Sequence, residues 1–369
     1  MNFQELKNKL GNQLKKNLPF VVYHKPNSPN IVALLENSTQ IYPVDYSEQG
    51  FAMIGFNNPK LAHFIRLSQA KKINSPYLSN QLDFQSKNQP IKEKSIAKSS
   101  YENKIKQSIN FIENTKVEKV VFSRKIEVES QQNLVQAFEN LLCLYEDAFT
   151  YLWHHPKLGT WLGATPETLV SLNRNRLTTM ALAGTKLASN KAAENWGSKE
   201  KEEQNYVTKA IVNELKKYSE KINIGTTSSK KAGKLLHLHT PITAQINPSD
   251  LAEILKYLHP TPAVAGFPKK EAVDYILANE AYERKYYTGF LGEVNFPQEV
   301  NKRKHRKNQE FTAVQPRIPL TELYVNLRCM EYDNQRYTLY VGGGITKESK
   351  PSDEWEETKN KSQTMLNVL

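Results

Sequence analysis

Lys119 lies in the run Val117-Glu118-Lys119-Val120-Val121-Phe122, where its neighbours make it chemically conspicuous. In an extended segment alternate side chains share a face, so Val117, Lys119 and Val121 point one way while Val120 and Phe122 point the other. Both faces then read as half-buried. Such a lysine either carries its ammonium to water along its aliphatic stem or stays desolvated, with a pKa lowered until it can act as a base near neutral pH. Carboxylates form a second pattern. Glu200, Glu203, Val207, Ala210, Ile211 and Leu215 follow helical spacing, and Glu354, Glu357, Lys361 and Met365 do the same near the C-terminus. In each case two glutamates three residues apart lead an apolar stripe. Acids in a first helical turn suit the helix dipole. Alternatively, buried carboxylates require compensation, which a hard divalent cation with oxygen ligands would supply. Spacing leaves both open.

Gly342, Gly343 and Gly344 end a strand-like run, where they permit either a tight turn or a close backbone grip on an anion. They match neither the phosphate-loop nor the dinucleotide fingerprint. His237 and His239 have the spacing of two ligands on one strand face, but no third histidine or cysteine supports zinc, so a structural or substrate-contacting role is the better reading.

The elements that must position these groups are legible as periodicities. Strand-like "FVVYHK", "IVALLEN" and "FAMIGFNN" occupy the first 84 residues. A polar stretch from Gln85 to Ser100 reads as a linker or surface excursion. The expected boundary near residue 95 separates an N-terminal part, 1–95, from a core, 96–369, the two packing as one unit. Helical patterns follow around "YENKIKQSINFIEN", "NLVQAFENLLCLYED", "EKEEQNYVTKAIVNELKKYSEK" and "SDLAEILKYLH", with a terminal helix from about Ser352. Strand-like runs include "FTYLWHH", "GTWLGATPETLVSL", "TGFLGEVNF", "LTELYVNLRCMEY" and "RYTLYVGGGI". Mixed helices and antiparallel-looking hairpins give an α+β class.

The 369 residues suffice for a substantial core, and 39% hydrophobic with 24% charged residues is the balance of a folded globular chain. The absence of a secretory-type N-terminus and of a long apolar run leads to a cytoplasmic expectation, with no membrane partner. Cys143 and Cys329 are too few for a disulfide framework, which fits a reducing compartment. A net charge of +12 keeps a polyanion partner in view, and Asn301 to Lys307 is the densest basic run. That run lacks interleaved aromatics for base stacking, so a solvated loop is the better reading and no nucleic acid is expected.

Together these stretches resemble the chorismate-utilising enzyme family, and most closely its isochorismate synthase branch. The resemblance rests on an ordered series: "KVVFSR", "GATPETL", "ALAGT", "KEKEEQNYVTKAI", "HLHT", "HPTPAVAGFP", "ERKYYTGFLG", "LRC" and "GGGITKESKPSDEWEETKNK", covering about residues 100 to 366. It implies two packed, largely antiparallel sheets flanked by helices, with the active site in a cleft beside them. It also implies roles. Lys119 matches the general base that deprotonates water attacking C2 of chorismate, and Glu167 the general acid that protonates the departing C4 hydroxyl. Glu203 and Glu357 match direct ligands of Mg²⁺, with Glu200 and Glu354 in its near surroundings through water. Arg328, Tyr287 and the backbone around Gly344 match positions that hold the enolpyruvyl carboxylate. Gly184 and Thr185 match substrate contacts on the other side, His237 a pocket histidine, and Lys361 a cation near the metal and ring carboxylate.

Ala183 stands where aminodeoxychorismate synthases, which resemble this family, carry a lysine. Relatives that use ammonia usually lack an equivalent of Lys119, so water is the implied nucleophile. Salicylate synthases, which add pyruvate elimination, are the nearest alternative, and a noncatalytic nucleic-acid-binding protein is the alternative from a different class. The product would feed menaquinone, siderophore or another biosynthesis, and a monomer is expected. The chain departs from the family pattern at Gln204, where histidine is frequent, Gly343, where alanine is, Lys285, where glycine is common, and Lys350, where aspartate is usual. The connection from Asn295 to about Leu320 is longer than the family leads one to expect.

Overall fold

The computed structural model describes residues 1–85, 95–187, 196–232, 235–299 and 317–369. The basic run at 301–307, most of the long connection that contains it and the middle of the polar stretch after Gln85 lie outside the described residues. The expected linker ends earlier than Ser100, because a helix already begins at Ser95.

In chain order the first half contains α1 (Phe3–Lys15), β1 (Phe20–His24), β2 (Asn30–Leu35), β3 (Gly50–Ile54), β4 (Ala62–Arg66), β5 (Lys71–Pro76), α2 (Ser95–Glu113), β6 (Lys119–Glu129) and α3 (Leu134–Leu144). Four strands follow, β7 (Phe149–His155), β8 (Gly159–Thr165), β9 (Thr168–Asn173) and β10 (Arg176–Leu187), and then α4 (Ser198–Leu215). The remainder comprises β11 (Ile222–Ile224), β12 (Ser228–Ala232), β13 (Leu235–Gln245), α5 (Leu251–Leu258), β14 (Gly266–Phe267), α6 (Lys269–Asn279), β15 (Phe290–Glu299), β16 (Arg317–Val325), β17 (Cys329–Asp333), β18 (Arg336–Ile345) and α7 (Pro351–Leu366).

One sheet runs β14-β6-β18-β17-β8-β7-β1-β2-β5, and the other runs β11-β13-β10-β9-β16-β15-β3-β4 with β12 paired to β13. Their pairings are antiparallel throughout the described residues. The N-terminal strands join both sheets, β1 against β7 and β3 against β15. An aromatic-rich core between the sheets takes Tyr23, Tyr151, Trp153 and Trp161 from the first and Phe51, Leu291 and Tyr324 from the second. α1, α3 and the end of α7 cover the outer face of the first sheet, while α4 and α5 cover that of the second. With both faces covered, central strands such as β7 are buried along their whole length. Continuous apolar runs replace strict alternation for that reason. The architecture is the α+β sandwich expected.

Two runs that read as single strands are each broken in two. "GTWLGATPETLVSL" divides at Pro166 and Glu167 into β8 in the first sheet and β9 in the second. "LTELYVNLRCMEY" divides at Asn326 to Arg328 into β16 and β17, which cross in the opposite direction. Proline has no N–H for a ladder, and Arg328 adopts φ +46°, so neither crossing can continue as regular strand. The crossings satisfy each other instead. Val325 N–H donates to the Glu167 carbonyl at 3.0 Å, Ala164 N–H to the Arg328 carbonyl at 3.0 Å, and the Thr165 hydroxyl to the Val325 carbonyl at 2.7 Å. Asn326, fully buried, accepts from the Tyr151 hydroxyl at 2.6 Å and donates to the Tyr286 carbonyl at 2.9 Å.

A second tie fixes β6. The buried Arg284 guanidinium binds Glu280 through Nη2 at 2.6 Å and donates to the Val121 carbonyl at 2.6 Å and the Val264 carbonyl at 2.9 Å. Glu280 in turn accepts from the Ser123 N–H and hydroxyl, each at 2.7 Å. Removing one partner of a buried pair strands the other charge. Arg284→Met should therefore lower stability by about 3–5 kcal/mol, read by urea denaturation. Adding Glu280→Gln should recover part of that loss.

Candidate active site

Lys119 opens β6, and its side chain is fully buried. It neither reaches water nor stands alone, because its Nζ meets Glu203 Oε1 at 2.7 Å. Glu203 comes from the second turn of α4, so the pair joins a strand of the first sheet to a helix that covers the second. Gly344 makes the approach possible: a Cβ there would fall 2.4 Å from Glu203 Oε1 and 2.8 Å from Lys119 Cε. The glycine run is thus a continuous part of β18, with Gly344 opposite Val121 and no anion loop of the turn type.

Glu167 occupies the first crossing and is 4% exposed. Burial pushes its carboxyl up to about 7, against the opposing pull of Lys119, Lys230, Arg328 and Lys361. A carboxylic acid poised there can hold or give a proton near neutral pH. Arg328 occupies the second crossing, and its left-handed backbone is strain of order 1 kcal/mol that the surrounding hydrogen bonds hold in place. Burial lowers its guanidinium from the ordinary arginine range, with Tyr287, Glu357, Tyr145 and Glu167 acting the other way.

Glu167 and Arg328 line one pocket of about 70 Å³, together with Gly184, Glu203, His237, Tyr287, Gly342 to Gly344, Glu357 and Lys361, while Lys119 lies behind Glu203 and Gly344. Ala183 lies in the same wall. His237 places Nδ1 2.9 Å from the Gly184 carbonyl, which can only accept. The ring therefore carries its proton on Nδ1 and presents Nε2 as an acceptor. Burial, with Arg328 and Lys361 nearby, pulls this imidazole down to about 3, so it is neutral at pH 7. Lys361 is held by Glu357 at 2.6 Å and by the Gly342 carbonyl at 2.9 Å. Tyr287 stacks on Tyr340 at 5.6 Å, with its hydroxyl close to Gly342. The Thr185 side chain lies outside the described residues.

The four glutamates divide in two. Glu203 and Glu357 face the pocket, while Glu200 packs against Gly184 and Glu354 against Gly343. A Cβ at Gly343 would lie 2.9 Å from Glu354 Oε2 and 3.7 Å from Glu357 Oε1, so the bare glycine lets two carboxylates of α7 close on the strand. All-carboxylate oxygen donors suit a hard cation such as Mg²⁺. Among the described residues no three acidic, histidine or cysteine side chains converge on one point, and the pocket-facing pair rests on Lys119 and Lys361 instead. His239 does not line this pocket.

The departures from the family pattern have local explanations. Gln204 donates through Nε2 to the Ala181 carbonyl at 2.9 Å and to the Thr240 hydroxyl at 2.8 Å, which fixes α4, and with it Glu203, against β10 and β13. Lys285 has φ +49°, the conformation that makes glycine common there, and its ammonium binds Glu331 at 2.6 Å. Lys350 is the N-cap of α7 and supplies no side-chain cap. Sequence reasoning assigned no role to Arg284 or Lys230. The first could have been suspected from Glu280 four residues earlier. The second carries no such signal, because only the pairing of β12 with β13 sets Lys230 opposite His237.

A family model described as chorismate binding enzyme matches residues 55–301, and a second with that description matches residues 320–367. The vibriobactin-specific isochorismate synthase of Vibrio cholerae is 28% identical over 279 residues, which cover 72% of this chain and 65% of that protein. Isochorismate synthase EntC of Escherichia coli K12 is 28% identical over 267 residues, covering 69% and 62%. The chain thus spans less than two thirds of the length of these curated relatives. The structure of MenF, the menaquinone-specific isochorismate synthase of Escherichia coli, shares the fold with a TM-score of 0.75 at 18% identity, over 95% of this chain and 88% of that one.

Two outcomes follow from the geometry. The Glu167 carboxyl keeps its proton up to about 7 when folded and loses it near 4.5 when unfolded, so its contribution to stability is lost as pH rises through 7. Glu167→Gln, which cannot ionise, should exceed the wild type in stability by roughly 1–3 kcal/mol at pH 8, with the gap closing toward pH 5 in paired urea titrations. Gly344→Ala should fold, because the atoms it meets are the ends of flexible side chains. It should nevertheless force Lys119 and Glu203 apart and cut turnover of the site's substrate at least about 100-fold.

Proposed function

We propose, from the premise that this chain belongs to the chorismate binding enzyme family, that it is an isochorismate synthase, adding water at C2 of chorismate and expelling the C4 hydroxyl. The observation that carries the reading is a buried carboxyl in the pocket wall, Glu167, held near pH 7 and acted on by a fully buried lysine, Lys119, more than by any other cation.

Lys119 takes the proton from the attacking water, while the ring double bonds shift and Glu167 gives its proton to the oxygen leaving C4. Water is consumed and released, so the net change is an isomerisation. Arg328 offers the enolpyruvyl carboxylate a planar two-pronged donor, supported by the Tyr287 hydroxyl and the backbone beside Gly344. Lys361 faces the ring carboxylate, and Nε2 of His237 accepts from a substrate hydroxyl. Glu203 and Glu357 would hold Mg²⁺, with Glu200 and Glu354 behind them. When bound, the ion would neutralise the ring carboxylate and the surrounding acids. Ala183 leaves the wall apolar where an ammonia-using relative places a lysine, which supports water as the nucleophile.

The test is incubation of the purified protein with chorismate, with and without Mg²⁺, and separation of products by chromatography and mass spectrometry. The expected result is isochorismate without pyruvate, abolished by chelation and restored by Mg²⁺. Because Glu167 must be protonated, kcat/KM should fall as pH rises past about 7. Glu167→Gln and Lys119→Ala should each reduce kcat by roughly 100- to 10,000-fold. Salicylate with pyruvate, unchanged chorismate, or near-normal turnover in either variant would overturn the assignment it addresses.

A further inference from the structure

Lys230 is the pocket-side cation that the reaction leaves unused. It lies on β12 directly opposite His237 of β13 and is half-buried. Its ammonium lies 4.0 Å from Met180 Sδ, a poor acceptor, and among the described residues it makes no ion pair. Its neighbours are better provided: Lys119 has Glu203, Lys361 has Glu357, and Lys25 has Glu293 and Glu322. A half-buried ammonium without a carboxylate is costly, and such a group in a cleft marks a place where an anion binds.

The cavities show which anion it would meet. Beyond the inner pocket lies an open cavity of about 1060 Å³, whose wall includes Lys25, Tyr145, Pro166, Thr168, Lys230 and Arg328. Pro166 and Arg328 also line the inner pocket, so the two spaces meet at the crossings between the sheets. The inner space, about 70 Å³, is smaller than the roughly 300–1,000 Å³ usual for ligand sites, and the outer cavity adjoins it at Pro166 and Arg328. Glu322 in the outer cavity is already neutralised by Lys25, while Glu146 and Asp147 also line it. Lys230 is one of the cations whose charge acts on Glu167.

We propose that Lys230 is a substrate-binding residue that takes a carboxylate of the dianionic substrate where the outer cavity meets the inner pocket, acting with Arg328 to seat the carboxylate-bearing side chain. This rests on the chain acting on chorismate. The Lys230 ammonium adds a single positive charge to the wall of the outer cavity and guides the substrate to one orientation.

Lys230→Gln and Lys230→Arg should be compared with the wild type by calorimetric titration with chorismate and by steady-state kinetics at several ionic strengths. Lys230→Gln should weaken affinity and raise KM about 10-fold, leave kcat within about 3-fold, and flatten the salt dependence of kcat/KM, while Lys230→Arg should restore all three. Unchanged affinity and salt dependence in a folded Lys230→Gln protein would overturn the assignment, as would a loss that arginine fails to restore. Should the wild type bind chorismate with this dependence on Lys230 yet form no isochorismate, the catalytic reading falls and Lys230 stands. Failure of the wild type to bind chorismate overturns both.

Discussion

Two backbone segments that leave one sheet for the other have no strand neighbours of their own, and they satisfy each other. The hydrogen bonds from Val325 to Glu167 and from Ala164 to Arg328 lock the crossings side by side. Buried backbone groups must find partners, so neither crossing can move without exposing unpaired groups in the other. The consequence is chemical: an acid and a guanidinium, far apart in sequence, are held at the junction of the sheets by main-chain geometry. Asn326, with its hydrogen bonds to Tyr151, Tyr286, Thr288 and Gly289, seals the arrangement from inside the sandwich.

Charge burial is the second constraint, and it is answered locally. Lys119 lies beside the apolar cluster of Val120, Phe122, Ile345 and Trp355, where an ammonium is tolerable only with a close counter-ion. Glu203 supplies it, and a glycine on β18 clears the space. Arg284 and Glu280 answer the same constraint one layer deeper and hold the carbonyl of Val121, two residues along from Lys119. Glu167 lies within reach of four cations and still keeps its proton near neutrality, because desolvation outweighs their pull. Arg328 and Lys361 thus share a pocket with an acid that burial keeps protonated up to about 7. That combination suits a substrate carrying two carboxylates and a poor leaving group.

Where this chain departs from the family's sequence pattern, the replacing side chains find local partners. Lys285 accepts a left-handed conformation and gains an ion pair with Glu331. Gln204 reaches the Ala181 carbonyl and Thr240 hydroxyl through one amide nitrogen, so the helix that bears Glu203 stays seated.

The sequence alone determined the class of fold, since helical and strand periodicities were strong, and it nominated the candidate base, acid and carboxylates through the family resemblance that "KVVFSR", "GATPETL" and the two glutamate-led helices carry. It could not show that "GTWLGATPETLVSL" and "LTELYVNLRCMEY" each change sheets midway, because a crossing buried on both sides is as apolar as the strands it joins. It could not separate a snorkelling Lys119 from a buried one, or a helix-dipole glutamate from one that meets a lysine at 2.7 Å. Those choices depend on which side chains from distant segments arrive at the same place. Tertiary structure decided them by stacking the two sheets, which removes water from Lys119 and Glu167 together and turns ordinary ionisable residues into groups whose charge depends on each other.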